Sequence, residues 1–154
     1  MSPLDWAFLC LQRYVTFYGR SARAEYWWFC LFQFLLSLVT MLIDVMLGLG
    51  GPDSPISTNF ILAIGLFLPS LAVTVRRLHD INRSGWTVLV YVVLTLVVVI
   101  VGGVLSLLLG EFGTVLMVLG IMAVSVKFIF LMASEGSRGD NGYGPNPYGL
   151  TYGY

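Results

Sequence analysis

The sequence predicts an all-α polytopic membrane protein: a bundle of four spanning helices preceded by an amphipathic helix lying in the membrane interface. Three observations predict it. The 154 residues are 58% hydrophobic and only 10% charged, whereas soluble domains carry about a quarter charged residues. So few charges cannot cover a water-facing surface, and lipid is the solvent for much of the chain. Four apolar runs each approach the ~20 residues that cross a hydrocarbon core. Finally, every lysine and arginine falls toward one end of those runs.

The spans are expected at 27–49, 56–75, 86–109 and 112–132. None alternates in polarity as a strand of a membrane barrel does. Valine-rich stretches such as Val97–Val101 favour strand in water, but in lipid each segment must satisfy its own backbone groups, which makes them helical. Ahead of the spans, residues 3–18 read as the interfacial helix. Asp5, Gln12, Arg13 and Thr16 fall on one face, and Leu4, Trp6, Phe8, Leu11, Val15 and Phe17 populate the rest. The stretch from Gly51 to Pro55 reads as a turn. Between the last two spans only Gly110 and Glu111 remain, which forces an antiparallel hairpin. The tail, 136–154, is rich in Gly, Asn, Pro and Tyr; its composition predicts a loop and permits disorder. The whole chain reads as one membrane domain.

Topology follows from the basic residues. Arg13, Arg20 and Arg23 precede the first span, Arg76, Arg77 and Arg83 join the second to the third, and Lys127 and Arg138 lie near or after the end of the fourth. The other two connections carry Asp53 and Glu111. Basic residues favour the cytoplasmic side, so both termini are expected in the cytosol. The first 20 residues lack the pattern of a cleavable signal. Trp27, Trp28 and Trp86 sit where amphipathic rings prefer the lipid–water boundary. Cys10 and Cys30 have no metal or redox spacing and read as reduced, structural thiols.

Polar groups inside the spans are few. Gln33, Ser37, Thr40 and Asp44 recur at helical spacing on one face of the first span. That face is expected to point into the bundle or at another subunit, either as interhelical hydrogen bonds or as a water-lined path. Lys127 lies about as deep as Gln33 and Ser70. Pro69 leaves the Gly65 carbonyl without its helical partner. These groups are expected to form a polar layer, unless Lys127 snorkels to the inner headgroups. Gly102 and Gly103 with Ser106, and also Gly65 and Gly120, offer small surfaces for close helix approach.

Three polar motifs converge on the predicted cytosolic face: Gly19 to Trp27, Arg76 to Trp86, and Gly136 to Pro145. Together they resemble a family of small bacterial inner-membrane proteins, domain of unknown function 805. Its pattern is F-x-G-R-x-x-R-x-E-Y-W, then R-R-L-H-D-x-x-x-S-G-W, then G-x-x-G-x-N-x-Y-G-x-x-P. The matches run through Phe17 to Trp27, Arg76 to Trp86 and Gly136 to Pro147, in order, with the apolar segments between them. The resemblance implies the fold, the membrane and a bacterial origin, and no mechanism.

From the residues themselves, Arg20, Arg23, Arg76, Arg77 and Arg83 approach one face, with His79 and Asn141 beside them and the acids Glu25, Asp80 and Asp140 available to pair. One reading is a mutually satisfied ion-pair cap with the tail closed over it. The other is a site for an anion such as a phosphate-bearing ligand or lipid headgroup, for which arginine forks are suited. No P-loop, dinucleotide fingerprint or metal-ligand pattern is present, and no cofactor or metal is expected. A net charge of zero argues against duplex nucleic acid as a partner. The expected protein is therefore non-enzymatic, in contact with membrane lipids, and homo-oligomeric. A ligand-gated channel or transporter using the polar face is the alternative, and a lipid-modifying enzyme using His79 and Asp80 the third reading.

Overall fold

The computed structural model describes residues 2–49 and 57–149; the expected turn at 51–55, the first residue of the second expected span and the end of the tail lie outside these. Among the described residues five helices follow one another: α1 Pro3–Gln12, α2 Arg23–Leu47, α3 Thr58–Asp80, α4 Trp86–Leu109 and α5 Glu111–Ala133. The last four are long and apolar enough to cross a membrane. Because they alternate in direction, the N-terminal connection, the α3–α4 turn and the tail meet at one end, called here the arginine end.

The elements differ from the sequence expectation mainly at their ends. Helix α1 stops at Gln12 rather than near residue 18. Its start is a capping box: the Asp5 N–H donates to the Ser2 hydroxyl at 3.2 Å and the Ser2 N–H to the Asp5 carboxylate at 2.6 Å. Its end falls where Val15, Thr16 and Phe17, weak helix formers, follow, and the carbonyls of Arg13 and Thr16 turn outward to an arginine.

Helix α2 begins four residues early, at Arg23, and α3 runs on to Asp80 instead of ending at Val75. The charges at Arg76 and Arg77 do not end α3, because both side chains are buried and paired. A Schellman ending closes α3: the Arg83 N–H bonds the Leu78 carbonyl at 2.8 Å, the Asn82 N–H bonds the His79 carbonyl at 3.0 Å, and Asn82 takes φ 57°. Asparagine tolerates that left-handed conformation better than most residues.

Packing divides the spans into two hairpins. In one, α2 and α3 lie together, with α1 laid across them. In the other, α4 and α5 turn on Gly110 at φ 61° and close on small residues. A side chain at Gly113 would sit 2.3 Å from the Leu105 carbonyl, and one at Gly102 2.4 Å from Met117. Gly120 faces Val98 in the same way, whereas Gly65 and Gly103, expected to share this role, have open space around them. Among the described residues the two hairpins share a core near the arginine end, where Cys10, Tyr26, Phe29, Val73, Leu78 and Met132 are buried together. Elsewhere the spans show apolar faces outward, as lipid permits.

Candidate functional site

The site is the arginine end. There α3 presents Arg76, Arg77 and Asp80 on its last turn and a half, the connection before α2 presents Arg20, and the first turn of α2 presents Glu25. All five side chains are at most 2% exposed. An arginine stays charged when buried, so each guanidinium needs partners; Arg20 and Arg77 engage all their nitrogens, and Arg76 engages both Nη but not its Nε.

Arg20 donates through Nε and Nη2 to Asp80 Oδ1, at 3.0 and 2.9 Å. Its remaining donors reach the tail carbonyls of Ser137 and Gly139, both at 2.7 Å. Arg77 bonds the other Asp80 oxygen, Oδ2, and spans the end of α5 through the carbonyls of Met132 and Ser134. Arg76 pairs with Glu25 at 2.8 Å and donates to the carbonyls of Thr16 and Arg13 beyond the end of α1. Three guanidiniums thus face two carboxylates. The surplus positive charge is met by the carbonyls of Met132 and Ser134 at the C-terminal end of α5, the negative end of a helix dipole, and by those of Arg13 and Thr16 just beyond α1.

The tail is folded over this cluster instead of hanging free. Ser137 donates its N–H and hydroxyl to the Asp80 carbonyl at 2.9 and 3.1 Å. Asn141 donates to the His79 carbonyl at 2.9 Å, and its own carbonyl closes a turn with the Tyr143 N–H. A Cβ at Gly136 would lie 2.1 Å from the Asp80 carboxylate, so no larger residue allows this approach. Tyr143 stacks on His79 with centroids 4.0 Å apart and planes 5° from parallel.

His79 and Asp80 point to different partners. The His79 Nδ1 lies 3.1 Å from the Gly19 carbonyl and acts as its donor, while Asp80 faces the two arginines. Asp140 turns away from the cluster and accepts from the Asn146 N–H. Arg23 lies 3.9 Å from Glu135 at the surface, and Arg13 and Arg83 are exposed. Cys10 is buried beneath the cluster, 3.7 Å from the Glu25 carboxylate. Burial first, then that neighbouring charge, pushes its thiol well above the ordinary range.

The polar groups of the first span join α2 to α3. Gln33 donates to the Ser70 hydroxyl at 2.7 Å. The Gly65 carbonyl released by Pro69 accepts from the Tyr14 hydroxyl, a partner in the α1–α2 connection. Ser37 and Thr40 hydroxyls bond back to α2 carbonyls. Asp44 also joins α2 to α3. It is buried and caps α3, accepting from the Thr58 N–H at 2.7 Å, the Thr58 hydroxyl at 2.6 Å and the Asn59 N–H at 3.2 Å. Lys127 is not brought to this set: it is exposed on α5, whose packing partner is α4.

Sequence reading missed Ser2 and Asp44 as caps and Tyr14 as the Gly65 partner. The serine three residues ahead of Asp5 was a readable signal for the first; the other two depend on which helices pack together.

A small helical membrane protein, four spans closed at one end by buried arginine–carboxylate pairs under a folded tail, is the class these features define. The family model described as "Protein of unknown function (DUF805)" matches residues 14–145, and the chain belongs to that family. It is 40% identical over 92 residues to the Inner membrane protein YhaH of Escherichia coli K12, covering 58% of this chain and 74% of that one. It is 41% identical over 90 residues to the Inner membrane protein YhaI of the same strain, covering 58% and 73%. A third E. coli K12 relative, Uncharacterized protein YiiR, is 31% identical over 147 residues and 89% of each chain. No solved structure matches.

Proposed function

We propose that the protein is a non-enzymatic, self-associating component of a bacterial inner membrane, with its arginine end in the cytosol and an anion-binding rim around a structural cap. In this reading Arg20, Arg76 and Arg77 are the cap, and the exposed Arg13 and Arg83 with the half-exposed Arg23 are the rim. The carrying observation is the division of labour among arginines. The three buried ones are turned to internal carboxylates and carbonyls and lie out of solvent, which leaves anion recognition to those at the surface. Arg23 and Arg83 lie within one helical turn in sequence of the exposed Trp27 and Trp86, and amphipathic rings prefer the depth of the headgroups. There each arginine attracts an anionic lipid by ~1 kcal/mol.

The separate orientations of His79 and Asp80 support a non-enzymatic role. The polar stripe Gln33–Asp44 supports packing of α2 on α3 more than a conducting path. The outward apolar faces of α4 and α5 leave room for a second copy. Native mass spectrometry in mild detergent tests this: the expected result is a multimer retaining phosphatidylglycerol over phosphatidylcholine. Equal retention of both lipids removes the anion-binding rim, and a monomer at all concentrations removes self-association. Reporter fusions at the α2–α3 connection are expected outside the cytosol; a cytosolic signal there reverses the orientation.

A further inference from the structure

A cavity of about 540 Å³ opens at the arginine end between three segments that the sequence keeps apart. Trp6 and Leu9 of α1 form one side, Arg13 and Tyr18 of the connection another, and Pro145 and Pro147 of the tail the third. Two more charged residues, Arg20 and Glu25, reach its lining from the buried cap. Both are committed: Arg20 to Asp80 and the tail, Glu25 to Arg76. Arg13 is different. It lines the cavity and is exposed, and no side-chain hydrogen bond or ion pair engages its guanidinium among the described residues.

Two further observations set the sign of what belongs there. The buried cap holds three guanidiniums and two carboxylates, so its formal surplus charge is positive. Arg76, bonded to the cavity residues Thr16 and Glu25, keeps its Nε without a partner although the side chain is 1% exposed. The walls are otherwise apolar or aromatic. A small hydrated anion gains nothing from Trp6, Leu9 and two prolines, but a phosphate ester with an organic part covers them.

We propose that this cavity binds the phosphate group of a phosphate ester, with Arg13 contacting the phosphate and Trp6, Leu9 and Tyr18 covering its organic part. The exposed Leu4 and Phe8 on α1 place the opening at headgroup depth, which makes an anionic phospholipid the first source of that group and a soluble phosphate ester the second. The proposal rests on the anion-binding reading above and narrows it to one site.

The test uses the full chain in detergent, titrated with phosphatidylglycerol and read by native mass spectrometry. Two variants are compared: Arg13→Gln, in the cavity, and Arg138→Gln, 94% exposed and outside its lining. Thermal melts confirm that both fold. The proposal expects Arg13→Gln to weaken phosphatidylglycerol binding about fivefold and Arg138→Gln to leave it within about twofold. Millimolar glycerol phosphate then separates the sources. Unchanged lipid binding assigns the site to lipid, and Arg13-dependent displacement assigns it to the soluble ester. Equal losses in the two variants, or none in Arg13→Gln, overturn the cavity while leaving a general anionic rim. Failure of the unsubstituted protein to prefer phosphatidylglycerol overturns both.

Discussion

The two ends of the bundle solve the same problem by different means. At the arginine end five charged side chains are withdrawn from solvent and tie α1, α2, α3, α5 and the tail together. At the other end, among the described residues, the buried carboxylate of Asp44 ties α2 to α3 by capping a helix start, and α4 and α5 close on glycines, with the nearby Glu111 exposed. The arginine end joins segments distant in sequence; the far end joins only chain neighbours. The comparison teaches where the chain can be broken. Loss of a charge partner at the arginine end strands another charge in the interior, whereas loss of a contact at the far end loosens one hairpin.

The largest expected effect is therefore Asp80→Asn. It leaves Arg20 and Arg77 buried without their shared anion, and removing one partner of a buried pair costs about 3–5 kcal/mol. Unfolding in a denaturing-detergent titration should show that loss, together with faster proteolysis of the tail. Stability within ~1 kcal/mol of the starting protein would mean that water or backbone carries the pairing.

Next is Gly113→Ala. The new methyl meets the Leu105 carbonyl carbon and oxygen, and forced overpacking costs about 1–3 kcal/mol. Gly103→Ala, in open space on the same hairpin, is the control and is expected to be neutral or slightly stabilising, since alanine is the better helix former. Identical melts for the two variants would contradict the assigned α4–α5 face.

A smaller effect is expected from Asp44→Asn. It keeps an acceptor for Thr58 but removes the charge at the N-terminus of α3. The melting temperature should fall by less than in Asp80→Asn, and the tail should keep its resistance to protease. Tail cleavage as fast as in Asp80→Asn would show that the two ends are coupled.

The smallest expected effect concerns Cys10 and leaves the fold alone. Its raised thiol pKa means that little thiolate exists at pH 8. Maleimide labelling of the folded protein at Cys10 should be negligible at that pH and become complete on unfolding, as peptide mapping reads it. Rapid labelling of native Cys10 would place the thiol in a wetter environment than the structure shows.

Much of this was legible in the sequence, for reasons that follow from particular residues. The four spans are readable because lipid demands long apolar runs, and α4 begins at Trp86 and ends at Leu109 as expected. The convergence of Arg20, Arg76, Arg77, Asp80 and Asn141 is readable because alternating spans carry their three motifs to one end. What each arginine does is less legible. Arg13 and Arg76 look alike as letters, yet one is exposed and the other buried on Glu25, a difference set by the position of α1. The end of α3 was misplaced because charge reads as a loop signal, while paired charge inside a protein does not end a helix. The capping role of Asp44 is not legible because its partner, the α3 start, comes into view only once α2 and α3 are packed.

The central claim is that the buried arginines are held by their carboxylates as a structural cap, and the Glu25–Arg76 pair offers the cleanest test, since Glu25 is not shared with a second arginine. A double-mutant cycle with Glu25→Gln and Arg76→Met, read by detergent-titration unfolding, measures that pair directly. The account predicts that each single variant loses about 3 kcal/mol or more and that the double variant loses less than the sum by at least ~1 kcal/mol. Strictly additive losses would show that the two side chains are not coupled and would contradict the cap.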